Sequence, residues 1–332
     1  DQNKSYPSAN KVNLISHAVG ITPRHFGGKP NDPEFDNRYA LQACSNSNLP
    51  IVLDGFYYTT EAPIFKANAT IRGLGVAISG IVKVGNAEST GGAVAISSGA
   101  SDNYNVDAIL IIQGEEFTSD TIYAKNVNFE SFSLLRHNCL SVVTNLYGLF
   151  APRLAQSKIT NVPVLNTLND GTPVGYGIRV VNGWMLSWDR IDSRAIYPFH
   201  FGSDSDGFGY YNGGGTSNTF VSCWAKGGKK SAWRFRGMTY SNLISCGGDF
   251  IGEKGVGGTI VYDFEACYMG MINCSSEQIH GRLVRANDSS SILVLNPHFE
   301  HGVYGDGTLN ALVHTSGAVS YTHLRAHETL RY

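Results

Sequence analysis

The sequence predicts an all-β solenoid, one chain coiled into stacked turns of short strands. Three observations carry that expectation. The 332 residues include 38 Gly, 17 Tyr and 16 Phe, and only 16% are charged, against about 25% in an average soluble domain. Aromatic residues favour strands and glycine favours tight corners. Four segments align as copies of one another: FVSCWAK from Phe220, LISCGGD from Leu243, MINCSSE from Met271 and VLNPHFE from Val294, at steps of 23, 28 and 23 residues. Such a period belongs to repeat architectures. Within the repeats no segment has the 3.6-residue apolar period of a helix, so each turn is built of strands.

The elements follow in order. Residues 21–43 open with turn formers and then place Tyr39, Ala40, Leu41 and Ala43 in a helix-like arrangement. IVLDGFYYTT (51–60) reads as an apolar strand, an Asp-Gly turn and an aromatic strand. Residues 70–75 read as a strand ending in a glycine corner. NVNFESFSLL from Asn126 and MLSWDRI from Met185 are earlier, degenerate copies of the repeat, and the four clear copies each follow a further apolar strand: PFHFG, AWRFRG, VYDFEA or RLVRA. Stacked coils are joined by parallel ladder bonds about 4.8 Å apart, so equivalent positions form vertical columns. Cys223, Cys246 and Cys274 then share one interior column as reduced thiols. The six cysteines, which also include Cys44, Cys139 and Cys267, lack zinc-ligand spacing, and no metal site or cofactor is expected. The formal net charge is −2 with dispersed Lys and Arg, which argues against nucleic acid as a partner. No run of 18 apolar residues occurs, so no membrane span is expected.

FGGKPNDPEFDNRYALQA, from Phe26, resembles the Gly-rich, acidic opening of the pectate-lyase-like right-handed parallel β-helix family. LDGFY and IRGLG stand where that family has its following strand pair and glycine corner. GGTSNTFVSCWAKGGKKSAWRF and ISCGGD are most similar to bacteriophage tailspike and tail-fibre depolymerases. The resemblance implies a right-handed single-stranded parallel β-helix of roughly nine or ten coils. Its expected divisions are a lead-in over 1–20, a capping region over 21–60 and the helix over 61–318. It also implies a homotrimer on a virion tail whose partner is a bacterial surface polysaccharide: capsule, O-antigen or exopolysaccharide. The alternatives are a tail module that binds glycan without cutting it, and a secreted bacterial pectate-lyase-like enzyme. The motifs of polygalacturonases and the acid set of calcium-dependent lyases are absent from the sequence. Val319 to Thr329 is similar to a translated sequencing-library adapter, which makes 319–332 an expected non-native tail, and its histidines are not read as a metal site.

The columns also select candidate chemistry. Three positions after the column cysteines lie Lys226, Asp249 and Glu277, and the next repeat supplies Glu300. Asp249, Glu277 and Glu300 are the expected catalytic carboxylates, one rung apart, the separation that retaining glycosidases use for acid and nucleophile. Lys226 and His280 are expected to bind an acidic sugar or act as a base. The alternative role for these carboxylates is to cap corner amides. A second group comprises Asp189 and Asp192 in WDRID and Asp204, Asp206, Tyr210 and Tyr211 in the insertion after Phe201. Aromatics stack on sugar rings and carboxylates bond hydroxyls, so these residues are expected to bind substrate. Trp188 and Trp224 are expected to be the exposed tryptophans of that surface.

Overall fold

In the computed structural model, residues 20–85, 94–97, 103–113, 123–139, 146–202, 214–253, 256–288, 290–299 and 313–316 are described. The chain forms a right-handed parallel β-helix, each coil giving one strand to each of three faces. One regular coil runs Ser231–Arg236, Met238–Ile244 and Gly247–Ile251, and the next runs Ile260–Glu265, Tyr268–Ile272 and Ser275–Ile279. We call these faces the first, second and third sheets. The third is a nine-stranded parallel sheet. The first two merge where long strands such as Leu146–Ala155 and Tyr176–Trp184 run around the bend between them.

The repeats and the register agree. Phe220, Leu243, Met271 and Val294 pair in sequence across the second sheet and point into the core. Cys223, Cys246 and Cys274 are buried beside them at the following corner, and all six cysteines are free thiols. Burial pushes the Cys274 thiol up to about 12 and the Cys267 thiol up to about 11, the environment of structural thiols. Aromatic rings stack from coil to coil inside the first sheet: Phe199 on Trp233 at 4.0 Å, and Phe235 on Phe264 at 5.7 Å. The polar tips are satisfied by carbonyls across the core, Trp233 Nε1 donating to Gly247 at 3.0 Å and the Tyr262 hydroxyl to Ser275 at 2.7 Å.

The corner between the second and third sheets is a column of left-handed residues: Ser131, Asn161, Arg190, Ser222, Ser245, Asn273 and Asn296, with φ between 48° and 60°. Asparagine is among the residues that tolerate this region best. The first six donate their backbone N–H to the carbonyl just before the corner of the next coil, as Ser245 does to Ile272 at 2.8 Å. The ladder therefore continues through the turn.

Two sequence expectations are refined. Asp54-Gly55 joins strands that pair not with each other but with Thr70–Gly73 and Gly80–Val84, so it is a corner between sheets. Residues 38–46 form the α-helix suggested by their spacing, with Leu41 and Cys44 buried in the same core as Ile51, Leu53 and Tyr57.

The outer side of the first sheet carries a feature with no counterpart in the sequence reading. Arg179, His200, Arg234, Asp263 and Arg285 stack in one outward column. Asp263 is 2% exposed and accepts Arg236 at 2.9 Å and Arg285 at 2.7 and 2.8 Å. Arg236 also reaches Glu265 at 2.9 Å.

Candidate functional site

The third sheet presents two outward columns. One contains Asp192, Trp224, Gly247, Ser275 and His298, and the other Arg194, Lys226, Asp249 and Glu277. The residues between them, Ser193, Ala225, Gly248 and Ser276, are buried. The alternation of a strand thus turns Lys226, Asp249 and Glu277 outward, two positions beyond residues that are themselves outward. The next position is left-handed on three successive coils: Gly227 at 69°, Phe250 at 54° and Gln278 at 49°. This kink breaks the alternation, so Asp249 and Phe250 both face outward, as do Glu277 and Gln278. Kinks of this type re-aim side chains near functional sites.

The column pairing puts Asp249 and Glu277 on adjacent rungs, about 4.8 Å apart along the stack. Glu277 is exposed and Asp249 half-buried. The Asp249 carboxyl is held above its ordinary value, chiefly by desolvation and also by the charge of Asp192. The Phe250 N–H, which donates to it at 2.8 Å, and Lys226 oppose that rise. Lys226 is itself engaged with Asp192, Nζ to Oδ2 at 2.6 Å. The Trp224 indole lies over Gly247, where any Cβ would collide with the ring. Glycine there lets a half-buried aromatic surface rest against the strand that carries Asp249. A raised acid, a neighbouring carboxylate and a flat ring are the parts needed to protonate a leaving oxygen and hold a sugar.

Asp192, Trp224, Lys226, Asp249 and Glu277 thus come together on one face. His280 is half-buried just beyond the strand of Glu277, its N–H donating to Ile251 at 2.7 Å. Two expectations are corrected. Trp188 is 1% exposed and stacks in the core on Phe220, ring centres 6.3 Å apart. The tryptophan exposed most is Trp184, at 40%. Asp189 does not join Asp192: the left-handed corner at Arg190 sends Asp189 to the second sheet and Asp192 to the third. Asp204, Asp206, Tyr210, Tyr211 and Glu300 lie outside the described residues. Sequence reasoning missed Arg194, Ser275 and His298, which the repeat alignment marks as column neighbours of residues it did select. Among the described residues, no group of three His, Cys, Asp or Glu side chains is placed to hold a metal, and no helix is long and apolar enough to cross a membrane.

Comparison with protein families and with curated proteins returns no match. Solved structures do match. The tailspike gp42 of Acinetobacter phage vb_AbaP_AS12 superposes with a TM-score of 0.67 at 26% identity, over 83% of this chain and 45% of that one. The enzymatically active domain of tailspike protein 2 of bacteriophage CBA120 gives 0.53 at 12% identity, over 91% and 46%. The tailspike of Acinetobacter phage vB_ApiP_P1 gives 0.50 at 10%, over 94% and 65%. The chain spans less than half the length of the first two. Its fold is that of a phage-tailspike-like parallel β-helix.

Proposed function

We propose that this chain is the glycan-cleaving part of a phage tail depolymerase acting on bacterial surface polysaccharide. The observation that supports this reading most is the outward pair Asp249 and Glu277 on adjacent rungs, the first with its carboxyl held above the ordinary range. In this mechanism Asp249, protonated, gives its proton to the glycosidic oxygen while the Glu277 carboxylate attacks the anomeric carbon and the C–O bond breaks. Water then displaces Glu277 from the sugar and returns its proton to Asp249. Trp224 supplies a stacking surface, and the Lys226–Asp192 pair orders the rung between Asp192 and Asp249. Assembly into a homotrimer and a place on the virion tail belong to the same proposal and rest on the likeness to tailspikes.

Glu277→Gln should lower glycan cleavage by a factor of about 10²–10⁴ while folding and glycan binding persist. The assay measures new reducing ends on a panel of capsular polysaccharides and O-antigens. Cleavage by that variant at the unaltered rate would remove Glu277 from the mechanism. A product that absorbs in the ultraviolet as an unsaturated sugar would replace hydrolysis by elimination.

A further inference from the structure

The outer face of the second sheet carries a separate group of side chains. Asn128, Lys158 and Ser187 pair in register across three neighbouring coils, and Glu130, Thr160 and Asp189 do so two residues further on. Phe129, Ile159 and Trp188, between these columns, are buried in the core, so both columns point outward. Glu130 and Asp189 are two rungs apart, about 9.5 Å along the stack. Thr160 stands between them, 8% exposed, and its buried hydroxyl has no hydrogen-bond partner. That hydroxyl is shielded from solvent, so the carboxylates of Glu130 and Asp189 are the polar groups this part of the face presents.

The same three coils carry an aromatic edge. Lys125, Ala155 and Trp184 pair in register, and Trp184 meets Tyr123 edge-on at 6.4 Å. Tyr123 belongs to the coil of Glu130 and Trp184 to the coil of Asp189, so the two rings straddle the small Ala155. Between this edge and the carboxylates lies the polar floor of Asn128, Lys158 and Ser187. Glu130 lies 4.0 Å from Arg72, both exposed, and the half-buried Asp189 lies 3.1 Å from Arg190. Lys125 and Lys158 are exposed, and neither has an ion pair among the described residues. The platform therefore carries an excess of positive charge.

We propose that this platform is a second polysaccharide site, a surface that holds an acidic sugar chain laid across three coils. Sugar rings stack against Trp184 and Tyr123, and sugar hydroxyls bond Glu130 and Asp189. An acidic substituent pairs with Lys125 or Lys158. The site rests on the reading of the chain as a glycan-binding protein but not on Asp249 or Glu277.

The test screens purified capsular polysaccharides and O-antigens, acidic and neutral, for binding to the full chain in a cleavage-deficient Glu277→Gln background. With the glycan that binds, Trp184→Ala and the double variant Lys125→Gln/Lys158→Gln should each weaken affinity at least tenfold at an unchanged melting temperature. Added salt should weaken the parent and affect the double lysine variant much less. Unchanged affinity in both Trp184→Ala and the double variant overturns the proposal, and so does a screen in which only neutral glycans bind. Loss of cleavage on substitution of Glu277 reports on the third sheet, and the change of affinity made by the second-sheet substitutions within that background reports on the second, so the two readings fail separately.

Discussion

Asp263 on the first sheet and Asp249 on the third are both outward residues of a stacked β-ladder, yet they have opposite electrostatic fates. Asp263 sits between Arg236 and Arg285, which hold its carboxyl below the ordinary value although burial pushes the other way. Asp249 is desolvated without a cation of its own, because Lys226 bonds Asp192 on the other side, and its carboxyl rises. The first arrangement fixes an anion in place as a staple between coils. The second leaves a carboxyl able to carry a proton. Whether a carboxylate stabilises the fold or serves chemistry is decided here by what its neighbours on the rungs above and below are already bonded to.

That contrast can be broken at three points. Asp263→Ala should have the largest effect on stability, about 3–5 kcal/mol, because it leaves the buried Arg236 and the half-buried Arg285 without their shared anion. The measurement is the guanidinium chloride midpoint of the intact chain, and a loss under 1 kcal/mol would mean that the staple is ornamental. Because the folded pKa of Asp263 is depressed, its contribution is complete above the unfolded value of about 3.9 and is lost as pH falls through the lower folded value. Wild type should therefore lose stability below about pH 4, and Asp263→Ala should show a flatter decline there.

Gly247→Ala should cost about 1–3 kcal/mol, since the new methyl displaces the Trp224 ring. Glycan affinity should fall with it, and Gly247→Ala combined with Trp224→Ala should recover stability but not affinity. Asp249→Asn should have the smallest effect on stability, within about 0.5 kcal/mol at neutral pH. The sign follows from its raised pKa: ionisation of Asp249 opposes folding, so stability from the neutral form is present below the unfolded pKa and lost as pH rises through the folded one. The melting temperature of Asp249→Asn at pH 7 should equal or slightly exceed that of wild type, while glycan cleavage falls by about 10²–10⁴.

Much of the third sheet was legible in the sequence because the cysteines supplied its register. Cys223, Cys246 and Cys274 are small, buried and one per coil, so counting three residues from each reached Lys226, Asp249 and Glu277 without any assumption about loops. Trp188 was misread for a related reason. The sequence WDRID does not show that Arg190 adopts φ of 53° and resets which side of the strand faces out, so inward and outward assignments made on one side of the corner do not carry to the other. The first-sheet column was hidden differently. His200, Arg234, Asp263 and Arg285 each flank a core residue and read as ordinary exposed charges. Only the coil-to-coil pairing shows that opposite charges stack there, with Asp263 buried between half-buried arginines.

The left-handed corner between the second and third sheets also has an evolutionary consequence. Since its N–H groups bond to the same relative carbonyl in the following coil, gain or loss of one entire coil leaves every remaining ladder bond with an equivalent partner. Loss of a single residue within a coil instead inverts the facing of that strand against its neighbours. Lineages carrying this architecture should therefore change length by whole repeats, and a platform spread over two or three coils travels as a unit when they do.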